Sequence, residues 1–131
     1  IEAANRACDV YHPLRPEVRS VDVTEFYDQD PQTGVGRSAV IYGESHMDRS
    51  PCGTGTTAKM TLLHHRNQLE PGRAYHNAGP LGTVFEGRIM KTLPIGEFNG
   101  IVGQIRGNAQ ITGYHQFVVD DADPLPDGFL L

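Results

Sequence analysis

Tryptophan is absent from this chain, and cysteine occurs only twice, at Cys8 and Cys52. Two cysteines are too few for the disulfide framework that staples small secreted domains. A single bridge between them would consume the thiol of the most distinctive motif, so reduced cysteines and a cytoplasmic protein are expected. No run of about 18 or more apolar residues occurs, which excludes a membrane-spanning helix. The N-terminus lacks the basic and then apolar regions of a signal peptide. It opens on Ile1 rather than methionine, and residues 1–10 read as the tail of a helix entered midway, as in a processed chain or a fragment. Basic clusters are missing too. Lys59, Arg66, Arg73, Arg88, Lys91 and Arg106 are scattered and the net charge is −5, which leaves nucleic-acid binding without support.

Signatures of several common chemistries are also lacking. The six histidines form no HExxH and no paired CxxC with histidine, the patterns that hold zinc. His64 and His65 are neighbours on a predicted helix and cannot share a face. His46 reads as an exposed loop histidine. Ser50 lacks the G-x-S-x-G setting of a hydrolase nucleophile. Gly53 and Gly55 lack the spacing of a phosphate-binding loop.

What is present begins with 15 glycines and 9 prolines spread along 131 residues, the composition of one domain built from short strands and turns. Apolar alternation and turn residues predict strands over 21–27, 38–43, 83–92, 100–106 and 109–119. A hairpin-like connection covers 28–36, a second connection covers 94–99, and the tail over 120–131 reads as irregular. One helix is predicted over 56–67, from Ala58, Leu62 and Leu63 at helical spacing with Met60 and Thr61 filling in. Pro71 and Gly72 stop it. The expected class is α+β, a mostly antiparallel sheet around one helix.

The helix is entered through Asp48-Arg49-Ser50-Pro51-Cys52-Gly53-Thr54-Gly55-Thr56. A helix N-terminus leaves backbone N–H groups unpaired, and these attract anions and stabilise a thiolate. Pro51, Gly53, Thr54 and Gly55 are turn formers rather than core packers, so Cys52 reads as functional, whereas Cys8 reads as a small buried hydrophobe. Glycines at 53 and 55 let a ligand approach the backbone. A carboxylate at Asp48 can receive an ammonium while the Gly53 and Thr54 N–H groups hold a carboxylate, an arrangement that suits a zwitterion. The hydroxyls of Thr54, Thr56 and Thr57 are ordinary at a helix start.

These residues carry a resemblance. Residues 48–57 (DRSPCGTGTT) resemble the second active-site motif of the proline racemase and hydroxyproline epimerase family. Residues 83–88 (TVFEGR) and 107–113 (GNAQITG) resemble later family motifs. Asp123-Pro124, Gly128-Phe129 and His12-Pro13 fit its closing and upstream elements, so the likeness runs along nearly the whole chain. It implies one lobe of a two-lobed, diaminopimelate-epimerase-like fold, with a helix inside a curved sheet. The Met-Cys-Gly-His-like motif of the first lobe is absent, so residues 1–131 are expected to be the C-terminal lobe.

The resemblance also implies chemistry. No cofactor or metal is needed: one residue removes the α-proton of proline or 4-hydroxyproline, and a partner thiol returns one from the other face. Cys52 carries over as one acid/base, Gly53 and Thr54 as carboxylate donors, and Asp48 as partner of the ring nitrogen. The prevalence of activities in the family favours hydroxyproline over proline. Relatives that dehydrate trans-3-hydroxyproline often carry threonine at the position of Cys52, which makes that dehydratase the alternative. The expected partners are a small amino acid, the N-terminal lobe and, as occurs in the family, a second copy in a homodimer. A single thiol cannot serve both faces of Cα, so the lobe alone is expected to be inactive.

Overall fold

Thr56, Lys59 and Met60 bring one face of a single long helix against a sheet, and this contact organises the chain. A computed structural model describes residues 1–7, 9–43 and 45–128. In chain order the elements are α1 (Glu2–Ala7), β1 (Val23–Gln29), β2 (Gly36–Tyr42), β3 (His46–Met47), α2 (Gly53–His65), β4 (Ala74–Ala78), β5 (Val84–Ile95) and β6 (Phe98–Arg106). The sheet runs β1-β2-β4-β5-β6, with β3 added on β2. Every pairing is antiparallel except β2 with β4, where Gly36 faces Asn77. The α+β class is as expected.

The core is small. Met60, Leu69, Tyr75 and Ile89 form its buried cluster, flanked by Leu63, Ile101 and Ile105. Met60 lies over β5 and β6, where a Cβ on Gly87 would sit 2.5 Å from its Sδ and one on Gly103 would sit 3.1 Å from its Cε. Glycine at these two positions therefore lets the helix approach the strands. The inward face of α2 is 56, 59, 60 and 63, a helical repeat, whereas Ala58 of the expected face is exposed. No helix among the described residues is long and apolar enough to cross a membrane.

Several boundaries differ from the sequence expectations for identifiable reasons. The helix starts at Gly53 rather than 56, because Cys52 caps it and the Cys52 side chain accepts from the Gly55 N–H. The expected connection over 94–99 is mostly strand: Ile95 pairs with Phe98 and the turn is tight, with Gly96 at φ +60°. Strand β4 was not legible. It carries Tyr75, His76 and Asn77 between alanines and is held by ladders on both sides. The strand expected over 109–119 does not form. A strand needs a neighbour to take its backbone hydrogen bonds, and no described strand pairs with this segment, so Ile111, Tyr114 and Phe117 stay 78%, 92% and 90% exposed. Cys8, expected to be buried, Phe129 and the end of the predicted tail lie outside the described residues.

Candidate active site

A chain of short-range hydrogen bonds leads from β2 to the helix start. The Asp48 N–H donates to the Val40 carbonyl at 2.9 Å. The Asp48 Oδ1 accepts from the Ser50 N–H at 2.8 Å, and the Ser50 Oγ accepts from the Cys52 N–H at 3.1 Å. Ser50 is thus occupied in shaping the turn. Cys52 itself takes φ 59° and ψ 119°, a backbone conformation that L-residues rarely adopt and that is concentrated at functional sites. Its Sγ accepts from the Gly55 N–H at 3.4 Å and lies 3.4 Å from the Thr54 Oγ1.

The four predicted site residues therefore meet at one loop–helix junction. Among the described residues, the N–H groups of Gly53 and Thr54 have no protein acceptor. Both sit at the positive end of a helix of 13 residues. A Cβ at Gly53 would meet nothing within 4 Å among the described residues, so the backbone there is open to a ligand. Gly55 is different. A Cβ there would lie 3.0 Å from Val40 Cγ2 and 3.2 Å from Glu25 Oε1, so this glycine serves helix–sheet packing and not ligand approach, which corrects the expectation.

Asp48 is held ionised. The Ser50 N–H and then the Ser50 hydroxyl push its carboxyl below the usual value of 3.8, opposed by burial and aided last by the Cys52 side chain. A charged carboxylate, a thiol and two N–H groups with no acceptor among the described residues thus lie close together in the chain at this junction. The adjoining cavity is lined by Arg49, Ser50 and Pro51 with Leu81, Thr83, Val84 and Phe85, which places the 83–88 motif next to the cysteine loop. His46 stacks on Tyr42 with ring centroids 5.8 Å apart and stays exposed. Among the described residues no cluster of three or more His, Cys, Asp or Glu side chains is arranged to hold a metal ion.

The proline racemase family model matches residues 1–130. The chain belongs to the proline racemase family. It is 39% identical over 128 residues to the proline racemase of Clostridioides difficile, covering 97% of this chain and 38% of that protein. It is 40% identical over 129 residues to the 4-hydroxyproline 2-epimerase of Shewanella loihica, covering 98% and 39%. The fold matches a hydroxyproline epimerase from Agrobacterium vitis, solved with bound trans-4-hydroxy-L-proline, at a TM-score of 0.80 and 31% identity, covering 99% of this chain and 37% of that one. The chain thus spans about 38% of the length of the proline racemase relatives that it matches.

Sequence reasoning missed a buried polar layer behind this junction. It contains Glu25, Ser38, Lys59, Tyr75 and Asn77. Burial raises the Glu25 pKa, opposed by the Ser38 hydroxyl and the charge of Lys59. Burial likewise lowers that of Lys59, opposed mainly by Glu25. Tyr75 is pushed up to about 12, by burial first and by Glu25 second. No sequence signal connects these residues to Cys52, because their hydrogen-bond partners are distant in the chain.

Proposed function

We propose that this chain is the C-terminal lobe of a cofactor-independent racemase or epimerase of proline or 4-hydroxyproline, and that it supplies one of two acid/base residues. The observation that carries this reading is the junction itself, where the Cys52 thiol stands beside the unpaired N–H groups of Gly53 and Thr54 and the charged Asp48. Asp48 receives the ring ammonium of the amino acid, and the two N–H groups receive its carboxylate. Cys52 transfers a proton at one face of Cα, and a residue of the N-terminal lobe serves the opposite face. The negative charge that develops as the α-proton leaves spreads into the carboxylate, where helix N–H groups and the helix dipole stabilise it. A thiol is suited to moving that proton near neutral pH. The mechanism needs Cys52 reduced, in keeping with a cytoplasmic setting.

The names of the relatives support the substrate class, and the position of Cys52 supports isomerisation over dehydration. A product assay on both hydroxyproline isomers tests this: an epimer is expected, and loss of water to an imine would contradict it. The 131-residue chain by itself is expected not to turn over substrate, because the second base is supplied by another lobe. Turnover by the purified lobe would overturn the two-lobe reading.

A further inference from the structure

Asn77 is fully buried, at 0% exposure, in the strand that pairs with both β2 and β5. Its Nδ2 donates to Ser38 Oγ at 2.8 Å, to Thr56 Oγ1 at 3.0 Å and to the Pro51 carbonyl at 3.3 Å. The Thr56 hydroxyl donates to the same carbonyl at 3.0 Å. A carbonyl only accepts, which sets the amide end that Asn77 turns towards the loop. Two buried donors from two different elements thus converge on the residue immediately before Cys52. The preceding Ser50–Pro51 peptide lies against Gly79, where a Cβ would lie 2.7 Å from both Pro51 N and Ser50 C.

The geometry explains what this convergence does. Rotating the Pro51–Cys52 peptide plane changes ψ of Pro51 and φ of Cys52 together. Relaxing Cys52 from φ 59° towards the negative region that L-residues prefer would turn the Pro51 carbonyl away from both donors. It would also leave the buried Pro51 carbonyl without a donor and the Thr56 hydroxyl without its acceptor, which is unfavourable. The close approach of Gly79 to the Ser50–Pro51 peptide limits displacement of the loop towards β4. The Cys52 conformation is the one in which Sγ meets the Gly55 N–H.

We infer that Asn77, acting with Thr56 on the Pro51 carbonyl and backed by Gly79, is a positioning residue that holds Cys52 in its left-handed backbone conformation and so aims its thiol. Asn77 and Thr56 act through the peptide that precedes Cys52, and Gly79 through the peptide before that one. The inference rests on the proposed role of Cys52, and the test separates the two.

The test uses the full-length protein with Asn77→Ala, Thr56→Val, Gly79→Ala and Thr56→Ser. Two quantities are read: exchange of the substrate α-proton with solvent deuterium, as kcat and KM, and the rate of Cys52 alkylation by iodoacetamide at neutral pH, by peptide mass mapping. Asn77→Ala, Thr56→Val and Gly79→Ala should each lower kcat by about 10- to 100-fold, with KM changed far less and Cys52 alkylation slowed. Thr56→Ser, which keeps the hydroxyl, should restore both quantities. Thr56→Val preserves volume and carries the test if Asn77→Ala does not unfold cooperatively. Unchanged kcat, or unchanged or faster alkylation in folded variants, would overturn the inference, as would a Thr56→Ser variant as impaired as Thr56→Val. Alkylation needs no turnover, so slowed alkylation alongside exchange that survives Cys52→Ser would leave the positioning intact and reject the proposed role of Cys52.

Discussion

The ammonium of Lys59 lies 3.6 Å from the centroid of the Tyr27 ring, on the face of α2 that turns towards the sheet. Among the described residues its Nζ has no hydrogen-bond acceptor, and Glu25 Oε1 has no donor. The two groups offset each other through charge, so losing one should harm more than losing both. Lys59→Met is expected to cost about 1–3 kcal/mol of stability, and adding Glu25→Gln should recover part of it. Chemical unfolding of the two single variants and the double variant measures the coupling. Strictly additive losses would show that the groups do not interact.

Tyr75 is 6% exposed and its hydroxyl has no hydrogen-bond partner among the described residues. Tyr75→Phe removes that unsatisfied group and should leave stability unchanged or raise it by up to about 1 kcal/mol. The pH dependence carries a sign. The folded pKa of about 12 stands above the ordinary 10.0, so the native state keeps its proton longer and the associated stability falls as pH rises between those values. The advantage of the phenylalanine variant should therefore widen above pH 10.0, as unfolding free energies across that range would show.

Asp48 has the opposite sign. Its carboxyl titrates below 3.8 in the folded state, so its contribution is present above 3.8 and is lost as pH falls through the lower folded value. Asp48→Asn should be less stable than the parent near neutrality, and the gap should close in acid. In full-length protein the same variant should raise KM, because the ammonium partner is gone. A gap that persists in strong acid would mean that charge is not what Asp48 contributes to stability.

Gly53 and Gly55 look alike in the sequence but should respond differently to alanine. Gly53→Ala faces open space and is expected to shift stability by less than about 0.5 kcal/mol, while KM rises because a methyl group now stands on the ligand side. Gly55→Ala meets Val40 and Glu25 and should cost about 1–3 kcal/mol through overpacking. Thermal unfolding of the two variants side by side would separate these effects.

The sequence was most legible where local chemistry is strong. Pro71 and Gly72 after the helix bounded the end of α2 to within a few residues, and the short apolar run over 38–43 placed a central strand. The grouping of Asp48, Cys52, Gly53 and Thr54 followed from contiguity, since seven consecutive residues cannot be far apart. What could not be read depends on distant partners. Strand β4 is polar and exists because β2 and β5 flank it, and the approach of Asn77 to Pro51 spans 26 positions. The segment over 109–119 shows the converse, with strand-like alternation and no strand beside it. The role of Gly55 was misread because spacing does not tell which side of a helix start faces a sheet.

The central claim is that Cys52 moves the α-proton. Its most direct test is the exchange of the Cα hydrogen of proline and 4-hydroxyproline with solvent deuterium, catalysed by the full-length protein and by its Cys52→Ser and Cys52→Ala variants. The account predicts exchange with the parent protein and none above background with either variant, both of them folded. Exchange that continues at the parental rate without the thiol would contradict it.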